Sequence, residues 1–276
     1  MLMTNYFPGD AYVTDPSRRR TLLDRLLGGA RWVFYADYIR LVLSCSNAAR
    51  RSRFPDEAWN RSSWEVLDSM ERHGARFDIE GWENVSALEA PVGFVSNHMS
   101  TTESMVLPAL IRPHRPVTFV VKESLTRGRL FGPIMRSRDP VVVTRKDPRR
   151  DMVTVLEEGA KRLAAGISVV IFPEGTRQDE FRPANFNSLG VKLATKTGVK
   201  VVPIALRTDF WGNGKWFDFM KEWGPLHRDR KLRFAFGPAI DPAIDARVAH
   251  RETVDFISGK MREWALLDGR PAWEPQ

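Results

Sequence analysis

Val92-Gly93-Phe94-Val95-Ser96-Asn97-His98-Met99-Ser100-Thr101-Thr102-Glu103 is the stretch on which the reading of this chain turns. Val92 to Ser96 is a short apolar run suited to a buried strand, and polar, titratable groups follow where it ends. A second stretch repeats the arrangement. Val169-Val170-Ile171 is β-branched, and Phe172-Pro173-Glu174-Gly175-Thr176-Arg177 comes directly after it. Strand ends are where reacting groups and ligands collect in α/β proteins.

Outward from these stretches, short apolar runs alternate with helical patterns. Strands are expected at 75–81, 92–96, 117–121, 141–144, 168–172, 200–206 and 231–236, with helices at 101–111, 125–135, 151–165, 187–197 and 251–267. Such alternation predicts an α/β fold, a central largely parallel or mixed sheet flanked by helices. Before Gly74 the character differs. Helical spacing runs from Ser17 to Ala49, through Leu22, Leu23, Leu26 and Leu27, past Gly28-Gly29, to Trp32, Val33, Tyr35 and Ile39. A further helix is expected at 59–73. The chain is therefore divided into an N-terminal helical arm, 1–74, and an α/β domain, 75–276.

The chain has 276 residues, 43% of them hydrophobic, enough for one large domain with an appendage. Its 42 basic and 34 acidic residues give a formal charge of +8, which suits an anionic partner. Arginines crowd the arm at 18–20, 25, 31, 40 and 50–51. An apolar face bearing aromatics and flanked by arginines suits a helix lying on an anionic membrane surface; packing on the arm's own domain or on a second subunit is the competing reading. No stretch reaches the roughly 18–20 uncharged residues that span a bilayer, and no signal peptide is expected. One cysteine, Cys45, rules out an internal disulfide and a cysteine-rich metal site.

His98 is the histidine at a strand end, and neutral imidazole can take a proton from a hydroxyl near pH 7. Glu103 can fold back to hold its other nitrogen if a loop separates the two. Ser100 to Glu103 equally matches a helix capping box, in which the glutamate bonds the N-cap amide. Glu174 can hold a cation or a hydroxyl, Gly175 permits close backbone approach, and Arg177 offers a fork suited to phosphate. Arg145, ending the run Val141 to Thr144, is a second candidate anion ligand.

These blocks resemble the glycerophospholipid acyltransferase family. His98 with Glu103 corresponds to its His-x4-Asp block, with glutamate in place of aspartate, and residues 172–177 match its Phe-Pro-Glu-Gly-Thr-Arg block fully. Gly132 with Val141 to Arg145, and Val201-Val202-Pro203-Ile204, correspond more loosely to the remaining two. The likeness covers residues 75 to 240. It implies transfer of a fatty acyl group from acyl-CoA or acyl carrier protein to a hydroxyl of a lysophospholipid such as 1-acylglycerol 3-phosphate. In that reading His98 is the base and Glu103 orients it. Lys122, Arg145 and Arg177 hold the acceptor phosphate, and Glu174, Gly175 and Thr176 shape the pocket. No metal or organic cofactor is implied, and the protein is expected on the cytoplasmic face of a membrane, monotopic or peripheral. A hydrolase and a non-catalytic lipid-binding protein are the rival readings.

Other chemistries find no support. A G-x-S-x-G elbow, an H-E-x-x-H pair and nucleic-acid motifs are missing from the sequence. Cys45 lies far from both motifs along the chain. The aromatic stretch Phe210-Trp211, Trp216 to Phe219 and Trp223 fits an acyl-channel cover, a headgroup-layer contact or a core flap.

Overall fold

The computed structural model describes residues 4–7, 9–214 and 223–270. In chain order the elements are β1 (Tyr12–Val13), α1 (Leu22–Leu26), α2 (Arg31–Arg50), α3 (Asp56–Arg72), β2 (Phe77–Glu80), α4 (Glu83–Ser86) and β3 (Gly93–Ser96). Then come α5 (Thr102–Ile111), β4 (Val117–Lys122), α6 (Glu123–Arg127), α7 (Gly132–Arg136), β5 (Val141–Val143), α8 (Pro148–Ala164) and β6 (Ser168–Ile171). The chain closes with α9 (Leu189–Thr197), β7 (Val201–Arg207), β8 (Leu232–Phe236) and α10 (Ala246–Asp268).

The strands form one mixed sheet in the order β1-β2-β8-β7-β3-β6-β4-β5. All neighbours are parallel except β1 with β2 and β7 with β8. The expected α/β architecture is therefore present. Strands β3, β6 and β7 are buried along their whole length. Sheets covered on both faces read as continuous apolar runs because each side chain, up or down, meets a helix. Along β3, Phe94 joins the core beneath α3 and α5 while Val95 joins the one beneath α9 and α10. Gly190 lets α9 seat closely on β3, since a Cβ there would lie 2.5 Å from Val95 Cγ2.

Helix ends follow local chemistry. Asp147 caps α8 by accepting from Arg149 and Arg150 N–H, with Pro148 in the first turn, and Asp245 caps α10 in the same way. The helical pattern of the arm divides at Gly28 and Gly29, both at positive φ, into α1 and α2. The single helix expected at 125–135 is likewise two short ones, α6 and α7, and β1 and α4 carried no sequence signal.

Residues on both sides of Gly74 share one hydrophobic core: Phe34, Trp59 and Leu67 lie with Phe94, Val106 and Val170. α3 packs along α5, and β1 extends the sheet beside β2. Of the expected apolar arm face, Leu22, Leu26 and Trp32 are exposed (68%, 73% and 59%), whereas Tyr35 is buried against Trp211 and Trp223. Phe210 and Trp211 are core residues; Trp216 to Phe219 lie outside the described residues. No helix among the described residues is long and apolar enough to cross a membrane.

Candidate active site

Parallel register brings the two motifs together. Val95 of β3 pairs with Ile171 of β6, so His98 and Glu174 each follow three residues beyond a matched pair. Lys122 ends β4, and Arg145 follows β5 at the same edge of the sheet. All four strands run the same way, so their C-terminal ends converge on one place.

His98 Nδ1 lies 2.9 Å from Glu103 Oε2. Glu103 is fully buried, and its other oxygen accepts from Met99 N–H at 2.9 Å, Ser100 N–H at 2.8 Å and the Thr208 hydroxyl. Glu103 thus makes both kinds of contact: Oε1 accepts the amides just ahead of α5, Ser100 N–H among them, while Oε2 faces the imidazole. A carboxylate accepts at Oε2, which puts the imidazole proton on Nδ1 and leaves the Nε2 lone pair for the cavity that His98 lines. The ring is further fixed by stacking on Phe172, with centroids 4.3 Å apart and planes at 22°.

Glu174 Oε2 accepts from His98 N–H at 2.7 Å and so positions the histidine backbone. Burial pushes its carboxyl up to about 7, the nearby Glu103 charge adds to the rise, and the His98 amide opposes it. Gly175 sits at φ 70° with nothing within 4 Å of where a Cβ would lie. The turn's left-handed backbone conformation favours glycine there.

Arg177 Nη1 donates to Thr101 Oγ1 at 2.6 Å. Arg145 stands at φ 58°, a conformation costly for a side chain bearing a Cβ. Asp151 secures it, accepting Arg145 N–H at 2.6 Å on Oδ2 and Thr144 N–H at 2.8 Å on Oδ1. Burial pushes the Arg145 guanidinium down from its ordinary value, Asp151 opposes this, and the neighbouring Arg177 charge lowers it further. Two like charges brought together at a cavity wall favour an anion between them. Lys122, Thr176, Arg145, Arg177 and His98 all line one cavity of about 460 Å³. The rest of its wall is largely apolar and includes Leu41, Val42, Trp59, Val66, Met105 and Phe131. Among the described residues no group of three His, Cys, Asp or Glu side chains is arranged to hold a metal.

Residues 76–207 match the Acyltransferase family. The chain is 31% identical over 167 residues to a 1-acyl-sn-glycerol-3-phosphate acyltransferase of Pseudomonas aeruginosa, covering 60% of this chain and 62% of that protein. It is 35% identical over 140 residues to a chloroplastic 1-acyl-sn-glycerol-3-phosphate acyltransferase of Arabidopsis thaliana, covering 51% of this chain and 37% of that one. Over residues 76–207, just under half of its length, the chain is similar to the acyltransferase family. The match agrees with the resemblance carried by its motifs. The same fold occurs in the crystal structure of a 1-acyl-sn-glycerophosphate acyltransferase from Thermotoga maritima, with a TM-score of 0.62 over 92% of this chain and 99% of that one at 20% identity. The matched segments span less than two thirds of the two sequence relatives.

Sequence reasoning missed several parts of the site. Thr208 and Phe172 contact Glu103 and His98, yet neither carries chemistry that its neighbours in sequence would reveal. Cys45, far from both motifs in sequence, lines the same cavity. Burial pushes its thiol up from the ordinary value, which disfavours the reactive thiolate. α2 and α3 supply cavity wall, a role that only their packing discloses.

Proposed function

We propose that this protein transfers a fatty acyl group from an acyl thioester, acyl-CoA or acyl carrier protein, to the free hydroxyl of a lysophospholipid such as 1-acylglycerol 3-phosphate (lysophosphatidic acid), in phospholipid biosynthesis or remodelling. The observation that carries this reading is the His98–Glu103 pair opening on a cavity whose lining combines Lys122, Arg145 and Arg177 with a largely apolar wall. His98 Nε2 takes the acceptor's hydroxyl proton as the oxygen attacks the thioester carbonyl. The C–S bond then breaks, and the imidazolium returns its proton to the departing thiolate. An ester and a free thiol result, with no acyl-enzyme. These steps balance with the side chains named. Arg145, Arg177 and Lys122 hold the acceptor phosphate, while Glu174, Gly175 and Thr176 shape the loop that carries Arg177.

Mass spectrometry of the lipid products from a panel of lyso-acceptors tests the reading. A transferase converts donor into diacyl product mole for mole, whereas release of free fatty acid alone would identify a hydrolase. No turnover with either thioester donor would leave a lipid-binding protein.

Arg177→Ala and Arg145→Ala are expected to raise the acceptor's KM more than they lower kcat, because phosphate contacts supply mostly uniform binding. Equal use of a phosphorylated and a neutral acceptor by the wild-type protein would defeat this assignment.

Membrane attachment through the arm is part of the same proposal, with the protein monotopic or peripheral on the cytoplasmic face. Leu22, Leu23, Leu26, Leu27 and Trp32 are all exposed, and Arg31 lies 4.8 Å from the Trp32 ring centroid. Basic residues beside an anionic surface add about 1 kcal/mol each. Deleting the arm would also remove core and cavity residues such as Phe34 and Val42, so point substitution is the cleaner test. Leu22, Leu26 and Trp32 changed together to serine should abolish co-sedimentation with anionic vesicles while leaving the fold intact. Unchanged sedimentation would locate the attachment elsewhere.

A further inference from the structure

Thr208 lies just past the end of β7, fully buried and outside the motifs. Its hydroxyl bonds Glu103 Oε1. Ser100 Oγ is 3.1 Å from Thr208 Oγ1, and Thr102 N–H donates to Ser100 Oγ at 3.1 Å. The direction of each bond follows from what each group can do. An ionised carboxylate only accepts, so Thr208 donates to Glu103. With that proton used, Thr208 Oγ1 accepts from Ser100, which in turn accepts from the Thr102 amide. A one-way chain therefore runs from the first turn of α5 through two hydroxyls to the carboxylate that holds His98. Bonds in such a chain polarise one another and strengthen the last.

A second device sets where Thr208 sits. Asn97 Nδ2–H donates to Leu206 O at 2.8 Å, and Leu206 N–H donates to Asn97 Oδ1 at 2.9 Å. The residue next to His98 is thereby clamped to the strand that delivers Thr208.

We propose that Thr208, oriented by Ser100, is a positioning residue for the acyl transfer, holding Glu103 as the ionised acceptor on His98 Nδ1. This rests on His98 being the general base. Other charged groups around the pair are engaged otherwise. After β6, Glu174 holds the His98 amide and Arg177 donates to Thr101. Lys122 from β4 and Arg145 after β5 line the cavity. At the end of β7, Arg207 faces Asp268, and Asp209 is paired with Arg230 and Arg270. On α3, Asp56 engages Arg112 and Arg138, and Glu71 accepts from Tyr12 and Thr14. Among the described residues, Thr208 and His98 are the side chains recorded as bonding the Glu103 carboxylate.

Thr208→Val keeps the shape and removes the proton. A donor that favours the charged carboxylate is lost, so the His98–Glu103 pair takes up its first proton more readily. The acid limb of the kcat–pH profile should move to higher pH by about half to one unit, and kcat at pH 7 should fall about three- to tenfold. The acceptor's KM should be unchanged. Thr208→Ser, which keeps the hydroxyl, should restore the wild-type profile, and Ser100→Ala should give a smaller displacement of the same sign. If Thr208→Val fails to fold, Thr208→Ala carries the same expectation. His98→Ala, measured alongside, separates the two readings. Wild-type turnover in His98→Ala removes the base itself. An inactive His98→Ala beside an undisplaced Thr208→Val or Thr208→Ala profile overturns the role of Thr208 alone, as does an equal displacement in Thr208→Ser.

Discussion

His98→Ala is expected to lower turnover by about 10²–10⁴-fold, the usual worth of a positioned general base. The geometry supports the upper part of that range. The ring is held at Nδ1 by Glu103, on one face by Phe172 and at its backbone by Glu174 and the Gln178 amide, which donates to His98 O at 2.8 Å. Its side chain is 16% exposed, so bulk water is a poor substitute once the imidazole is gone. The side chains proposed to hold the phosphate stay in place, and the acceptor's KM should change little. Initial rates of diacyl product formation, with circular dichroism to confirm folding, check the result. A folded variant with near-wild-type turnover would remove His98 from the mechanism.

Glu103→Gln should cost nearly as much, about 10³–10⁴-fold in kcat, with little change in melting temperature. The glutamine carbonyl must face the Met99 and Ser100 amides, because two N–H donors cannot face an amide NH₂. Its NH₂ group is then turned on His98 Nδ1, which has to become an acceptor. The imidazole proton moves to Nε2, and the base loses the lone pair it needs. An acid-to-amide change that strands a catalytic histidine in the wrong tautomer has an effect of this order. The capping bonds survive, so thermal stability measures the cap and rate measures the charge. A variant with normal turnover would show that Glu103 serves only the helix. One that loses both activity and folding would show that the carboxylate's charge is needed for the cap as well.

The fold class was legible because it rests on local patterns. β-Branched runs such as Val169 to Ile171, flanked by helical spacing, are a direct record of strands covered on both faces. The site was half legible for the same reason. His98, Glu103 and Arg177 lie in short segments whose chemistry is continuous in sequence, and the family resemblance came from those segments. The roles inside them were harder to read. Glu174 looks like a ligand-binding carboxylate, yet a parallel pairing across β3 and β6 turns it onto the His98 amide. The glutamate standing where the family has aspartate raised the question of reach. Its carboxylate spans from the imidazole to two amides, so the longer side chain meets both demands.

By itself the sequence determined the α/β class, the order of the strands from β2 to β8 and the chemical groups of both motifs, since these depend on side-chain type and short-range spacing. The meeting of β7 with β3 and the burial of Phe34 and Tyr35 were decided only by the tertiary structure, as were the apolar wall from α2 and α3 and the arrival of Thr208 at Glu103. Each of those joins residues far apart in the chain. The free energy that selects them comes from burying whole faces and pairing polar groups once water is excluded, and no local pattern of residues records which distant face will do so.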